Sequence, residues 1–211
     1  MRGGNHGQSS LLKYCCTWSQ TTENIGGPGN IEQNPRFVNI GTYNYRLLYT
    51  SPCINAGNNT STDATTDLAG GTRIVRGTVD IGAYEFSNPS SDVSYAWLQQ
   101  YGLPTNGSAD YIDSDNDTLN NWQEWRCGTD PTNALSVLRF LSPVRDGNNV
   151  FVQWQSSPYA NYYLERSTNL GATPIFYLLA TNLPGQGSIT TYIDTNAAPG
   201  SPLFYRVGVG N

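Results

Sequence analysis

The sequence predicts a mainly β protein, and three observations carry that prediction. Only 13% of the residues are charged and Lys13 is the sole lysine, so the Ala/Leu/Glu/Lys-rich composition of helical bundles is missing. Apolar residues arrive in short pulses closed by Gly, Pro, Asn or Thr, the pattern of short strands joined by frequent turns. From 150 to 155 the chain alternates. Val150, Val152 and Trp154 fall on one side, and Phe151, Gln153 and Gln155 on the other, which is the period of a half-buried strand.

Three segments follow in order. Residues 1–86 hold the pulses "RFVNI", "YRLLY", "PCINAG", "TRIV" and "VDIGAYEF", read as short strands too few to form a core of their own. Residues 87–134 begin with the linker-like "SNPSSD". Val93, Ala96, Trp97 and Tyr101 then stand at helical spacing, and "PTNGS" stops that helix. A second short helix carries Trp122 and Trp125 and ends at Gly128, with Pro131 beyond it. These tryptophans are expected to pack as core between the two helices. Residues 135–211 add the strands "YYLERS", "IFYLLA", "SITTYID" and "LFYRVGV", spaced as in a small β-sandwich.

The composition also excludes functions. A formal net charge of −5 with scattered arginines argues against nucleic acid, which calls for a basic face. No apolar run is long enough for a membrane span. The N-terminus lacks the apolar stretch of a signal peptide, and the chain is read as part of a longer exported protein. Cys15, Cys16, Cys53 and Cys127 show no CxxC spacing and His6 is the only histidine, a poor set for zinc or for Cys–His catalysis. An oxidising compartment would allow one disulfide, with Cys16–Cys53 the favoured pair; otherwise these are small buried hydrophobes. Asp67, Asp80 and Glu85 read as turn and strand-flanking residues. Acid–base catalysis needs two carboxylates converging on a cleft, and no catalytic residue is expected.

One stretch concentrates the charge. Six of the sixteen acidic residues lie between Asp110 and Asp130, with Arg126 the only base among them. In "IDSDNDTLNNWQE", Asp113, Asp115 and Asp117 hold positions 1, 3 and 5 of a twelve-residue loop. The Leu119 carbonyl falls at position 7, Asn121 at 9 and Glu124 at 12. Calcium takes six to eight oxygens, and this EF-hand spacing supplies them, with Glu124 able to give both its oxygens from the following helix. The loop departs from the pattern at position 6, where Thr118 replaces the glycine of the sharp turn, so weak binding is expected. Magnesium, which keeps its waters, fits less well.

Resemblances add to this reading. "NPRFVN", "YRLLYTSPCINAGNN", "TDLAGGTRIV" and "GTVDIGAYEF" resemble the C-terminal end of secreted bacterial right-handed parallel β-helix proteins, the pectate-lyase-like group with a choice-of-anchor Q region. That implies upstream coils, where any polysaccharide-cleaving residues would sit. "GSADYIDSDNDTLNNWQEWRCGTDPTNA" resembles thrombospondin type 3-like and dockerin-like calcium repeats. The place of a first dockerin loop keeps only Asp92, so one calcium is implied and cohesin binding disfavoured. "YYLERSTNL" and "YRVGVGN" resemble strands of a fibronectin type III-like module, with Tyr205 in the tyrosine-corner position.

The domain expectation is therefore a β-helix end over 1–86, an EF-hand-like helix–loop–helix over 87–134 and a β-sandwich over 135–211. The functional expectation is a non-catalytic, calcium-stabilised spacer or attachment tail of an extracellular or cell-surface protein. The alternative is an accessory tail that holds polysaccharide for a lyase or glycosidase. It requires Tyr159, Tyr162, Tyr163, Phe176 and Tyr177 to form a solvent-facing platform.

Overall fold

The computed structural model describes residues 12–18, 27–158, 160–173, 175–197, 200 and 202–210; His6 and Tyr159 lie outside them. The chain is mainly β, with antiparallel sheets and few helices. It divides into two compact units, 1–112 and 113–211. The division falls inside the expected 87–134 segment, immediately before the first aspartate of the acidic loop.

In the first unit, β1 (Phe37–Asn39) and β2 (Asn44–Leu47) pair antiparallel, with Phe37 opposite Leu47. The later pulses form no strands. "PCINAG" is a turn buried over 51–55, and Thr72 and Val75 make only isolated bridges. Gly, Asn and Asp interrupt every run before a ladder can grow, so side chains take over the backbone's hydrogen bonds. Asp80 accepts from the backbone N–H of Asn55 (2.8 Å) and of Phe86 (2.6 Å). Glu85 accepts from the N–H of Asp80 (3.1 Å) and pairs with Arg73. Asp67 accepts from Gly71 (2.8 Å) and Glu85 (3.1 Å), and Asn59 from Val79 (2.9 Å).

Helix α1 (Tyr95–Gln100) belongs to this unit. The Tyr95 N–H donates to the Ile54 carbonyl (3.1 Å), and the ring packs with Leu47, Cys53 and Ile54. Its buried residues are Tyr95 and Leu98, not the expected Trp97 and Tyr101. The helix begins only at Tyr95, so Val93 is buried as part of the preceding turn and does not set the helix face. Trp97 and Tyr101 stack edge-to-face on each other, 4.9 Å between centroids.

The second unit carries the short β3 (Val144–Asp146) and the longer strands β4 (Asn149–Gln155), β5 (Asn161–Ser167), β6 (Tyr177–Pro184), β7 (Ile189–Asp194) and β8 (Phe204–Val209). They form two three-stranded antiparallel sheets, β3–β4–β7 and β6–β5–β8. Val150, Val152 and Trp154 of β4 join Tyr162 and Leu164 of β5 in one core. Trp154 is fully buried and meets Tyr162 edge-on at 5.8 Å. Burying such a ring contributes about 3 kcal/mol.

A polar clasp links the two sheets. Asp194 of β7 accepts from the Arg166 guanidinium (2.7 Å) of β5 and from the Tyr205 hydroxyl (2.8 Å) of β8. Burial raises the Asp194 carboxyl, but these two donors and the Asn196 N–H outweigh it and hold the group below its ordinary value. The tyrosine-corner expectation therefore needs correction, because the Tyr205 hydroxyl reaches a carboxylate where that motif reaches backbone.

Candidate metal centre

The loop from Asp113 to Glu124 is shaped by its own carboxylates. Asp113 accepts from the N–H of Asn116 (2.7 Å) through Oδ1 and of Thr118 (3.0 Å) through Oδ2. Oδ1 of Asp115 accepts from Asp117 (3.2 Å), and Oδ1 of Asp117 from Leu119 (2.7 Å). These bonds wind the chain tightly enough to force Thr118 to φ 85° and Asn116 to φ 66°. Thr118 thus takes the left-handed conformation that position 6 demands, against the preference of a β-branched residue.

Helix α2 (Asn121–Cys127) follows at once. A capping box starts it: the Asn120 side chain accepts from the Gln123 N–H, and the Gln123 side chain accepts from the Asn120 N–H, both at 2.9 Å. Gly128 ends it in the left-handed region at φ 69°. Its buried residues are Asn121, Glu124 and Cys127, three apart. Trp122 lies exposed and Trp125 half-buried, which corrects the expectation that both are core. Helical spacing allows one inward face, and the polar loop partners occupy it.

The three aspartates bring carboxylate oxygens within 4.8 Å of one another. At that separation two like charges repel by about 3 kcal/mol at an effective dielectric constant near 20. Glu124 lies outside that tight group but is completely buried. Its Oε2 has no hydrogen-bond partner, and the same holds for the buried Oδ2 atoms of Asp115 and Asp117. Burial, then the charges of Asp115 and Asp117, push the Glu124 carboxyl up to about 8, with the Thr129 hydroxyl opposing. Asp115 is raised by burial and by Asp117, while the backbone N–H groups of Asp117 and Asn133 oppose. Three orphaned, buried carboxylate oxygens in one twelve-residue loop suit a hard cation that takes oxygen ligands.

The remaining expected ligands fare differently. Leu119 stands at position 7 with its N–H held by Asp117. Asn121 is buried, and its Oδ1 accepts from the Ser114 hydroxyl (2.9 Å), which gives that oxygen a protein partner. Ser114, Thr129 and the Asn120–Gln123 box escaped the sequence reading. The box alone left a signal, the N-x-x-Q spacing.

Asp80 and Asp92 are engaged in structure. Asp80 is pushed up to about 6 by burial, against the donors Asn55 and Phe86 and the charge of Arg73. Asp92 pairs with Arg76 (2.7 Å) and accepts from the Tyr111 hydroxyl (2.8 Å). No helix among the described residues is long and apolar enough to cross a membrane. Compared with family models, with curated proteins and with solved structures, the chain matches none of them.

Proposed function

We propose that the loop 113–124 binds one calcium ion and that the chain is a non-catalytic, calcium-stabilised part of an extracellular or cell-surface modular protein. The observation that carries this reading is the buried, unpartnered Oε2 of Glu124, beside the equally unpartnered Oδ2 atoms of Asp115 and Asp117. The ligands would be Asp113, Asp115, Asp117, the Leu119 carbonyl and Glu124, with Asn121 held by Ser114 as support. The ion would offset the mutual repulsion of the carboxylates, and Glu124 would tie the loop to α2. In this reading 1–86 is the closing end of a parallel β-helix, 107–134 is a thrombospondin type 3-like or dockerin-like repeat, and the two sheets are a fibronectin type III-like module. The whole serves as a spacer or attachment tail.

The polysaccharide-holding alternative finds less support. Tyr162 is buried in the core, Tyr163 is half-buried against Gly208, and Phe176 lies beneath the Arg206 guanidinium at 4.7 Å. Of the platform residues described, Tyr177 alone is exposed.

Titration calorimetry tests the calcium reading. One site is expected, with a dissociation constant of about 10⁻⁴–10⁻³ M, the range of extracellular modules. Asp115→Ala and Glu124→Gln, each checked for retained strand signal by circular dichroism, should abolish the heat. A silent titration at millimolar calcium, or equal heat from both variants, refutes it. Turnover of pectin, alginate or xylan that is lost on a single carboxylate substitution would refute the non-catalytic part.

A further inference from the structure

We propose that Cys16 and Cys53 are a disulfide-forming pair, which closes on exposure to a disulfide oxidant and pins the 12–18 segment to the buried turn at 51–55. From the sequence this pair is a candidate only under oxidising conditions; the structure places both side chains in one cluster. Both belong to the apolar cluster of Leu47, Ile54 and Tyr95, and both line one cavity of about 330 Å³. Each backbone is fixed. Cys16 bridges Ile31, flanked by Thr17 N–H to Ile31 O (2.9 Å) and Ile31 N–H to Cys15 O (2.8 Å). The Cys53 N–H donates to the Ser51 hydroxyl (3.1 Å), which itself donates to the Pro35 carbonyl (2.6 Å). Cys15, the neighbour that could compete, turns its thiol to the Lys13 carbonyl at 3.3 Å.

The pair is also polarised. The Cys16 thiol donates to the Gln33 carbonyl at 3.3 Å, and the interaction of the two cysteines lowers the Cys16 pKa and raises that of Cys53. Cys16 is half-buried and borders the cavity, whereas Cys53 is almost completely buried. Order of reaction follows from this. The Cys16 thiolate attacks one sulfur of a small-molecule disulfide such as glutathione disulfide, forms a mixed disulfide and expels one thiolate, which takes up the proton lost by Cys16. Cys53 then gives up its proton and attacks the Cys16 sulfur, expelling the second thiol. Two protein thiols are oxidised, and one disulfide is reduced to two thiols.

The link would close a long loop of chain and so remove much of the freedom of the unfolded state. This inference does not depend on the calcium reading, since it concerns the first unit alone. The test exposes the full chain to glutathione disulfide, quenches with acid, alkylates, digests and maps the peptides. The expected result is one peptide pair joined through Cys16 and Cys53, and a melting midpoint for the first unit higher by on the order of 10 °C than in the reduced chain. Cys15→Ser should keep the link, and Cys16→Ser should lose it. Recovery of both cysteines fully alkylated, a link through Cys15, or a mixed disulfide at Cys16 that Cys53 fails to resolve each overturns the proposal. Mapping of the unsubstituted chain decides the matter even if a variant fails to fold.

Discussion

Asp80 in the first unit and Trp154 in the second are both almost completely buried, and each sits where its unit is held together. Around Trp154 the backbone is satisfied by ladders: β4 pairs with β7 over six residues, and the side chains between the sheets need only be apolar and well fitted. Among the described residues around Asp80 the only sheet is the short β1–β2 pair, and carboxylates and amides meet the N–H groups that a ladder would otherwise pair. A burial-driven unit tolerates changes of surface polarity but not loss of volume. A unit stitched by polar side chains tolerates little change of charge at its stitches.

Substitutions should separate the two. Trp154→Ala is expected to have the largest effect, about 4 kcal/mol lost from the second unit through transfer and cavity costs. Asp80→Ala should cost the first unit about 3 kcal/mol, because the buried Asn55 N–H and the half-buried Phe86 N–H lose their acceptor. Hydrogen exchange resolved along the chain checks both. If either substitution loosens the two units equally, the contrast between them fails.

Proton concentration sharpens the same contrast. Because the folded Asp80 carboxyl titrates near pH 6, above the ordinary carboxylate range, the native state keeps a proton that the unfolded chain has already released. The stability this contributes is fully present below about pH 4 and is lost as pH rises through about 6. Urea unfolding should therefore show the first unit weakening by about 2 kcal/mol over that window. Asp80→Asn should flatten the dependence, and one that persists unchanged in this variant would assign it to another group.

The smallest expected effect lies in the acidic loop. Replacing Thr118 by glycine removes the strain of φ 85° and should tighten calcium binding by about 1 kcal/mol, roughly fivefold. Unchanged or weaker affinity would show that Thr118 is held there without cost.

How much of this was legible depended on range. The close grouping of the Asp113, Asp115 and Asp117 carboxylates could be read because a twelve-residue loop is local. So could the alternation of β4, since strand period is local too. The first unit was over-read as strands: "TRIV" and "VDIGAYEF" have strand-like composition, but the donors around them are taken by Asp67, Asp80 and Glu85. Which carboxylate meets which distant N–H is set by tertiary placement, and Asp80 reaches back to Asn55. The tryptophans of α2 misled for a related reason. Size suggested core, whereas the helix turns its Asn121–Glu124–Cys127 side inward. Ser114 left no trace, because a serine bonded to an amide seven residues away resembles any loop serine.

The clasp of Arg166, Asp194 and Tyr205 bears on fidelity of assembly. Strand side chains alternate between faces, so a one-residue slip of β7 against β4 would swing Asp194 to the opposite face. The guanidinium and the hydroxyl on the other sheet would then be left without their acceptor, and the carboxylate without its donors. Apolar cores accept near-miss packings at modest cost, whereas a charge stripped of its partner does not. With three groups drawn from three strands, the second unit carries a proofreading contact that only the native register can close.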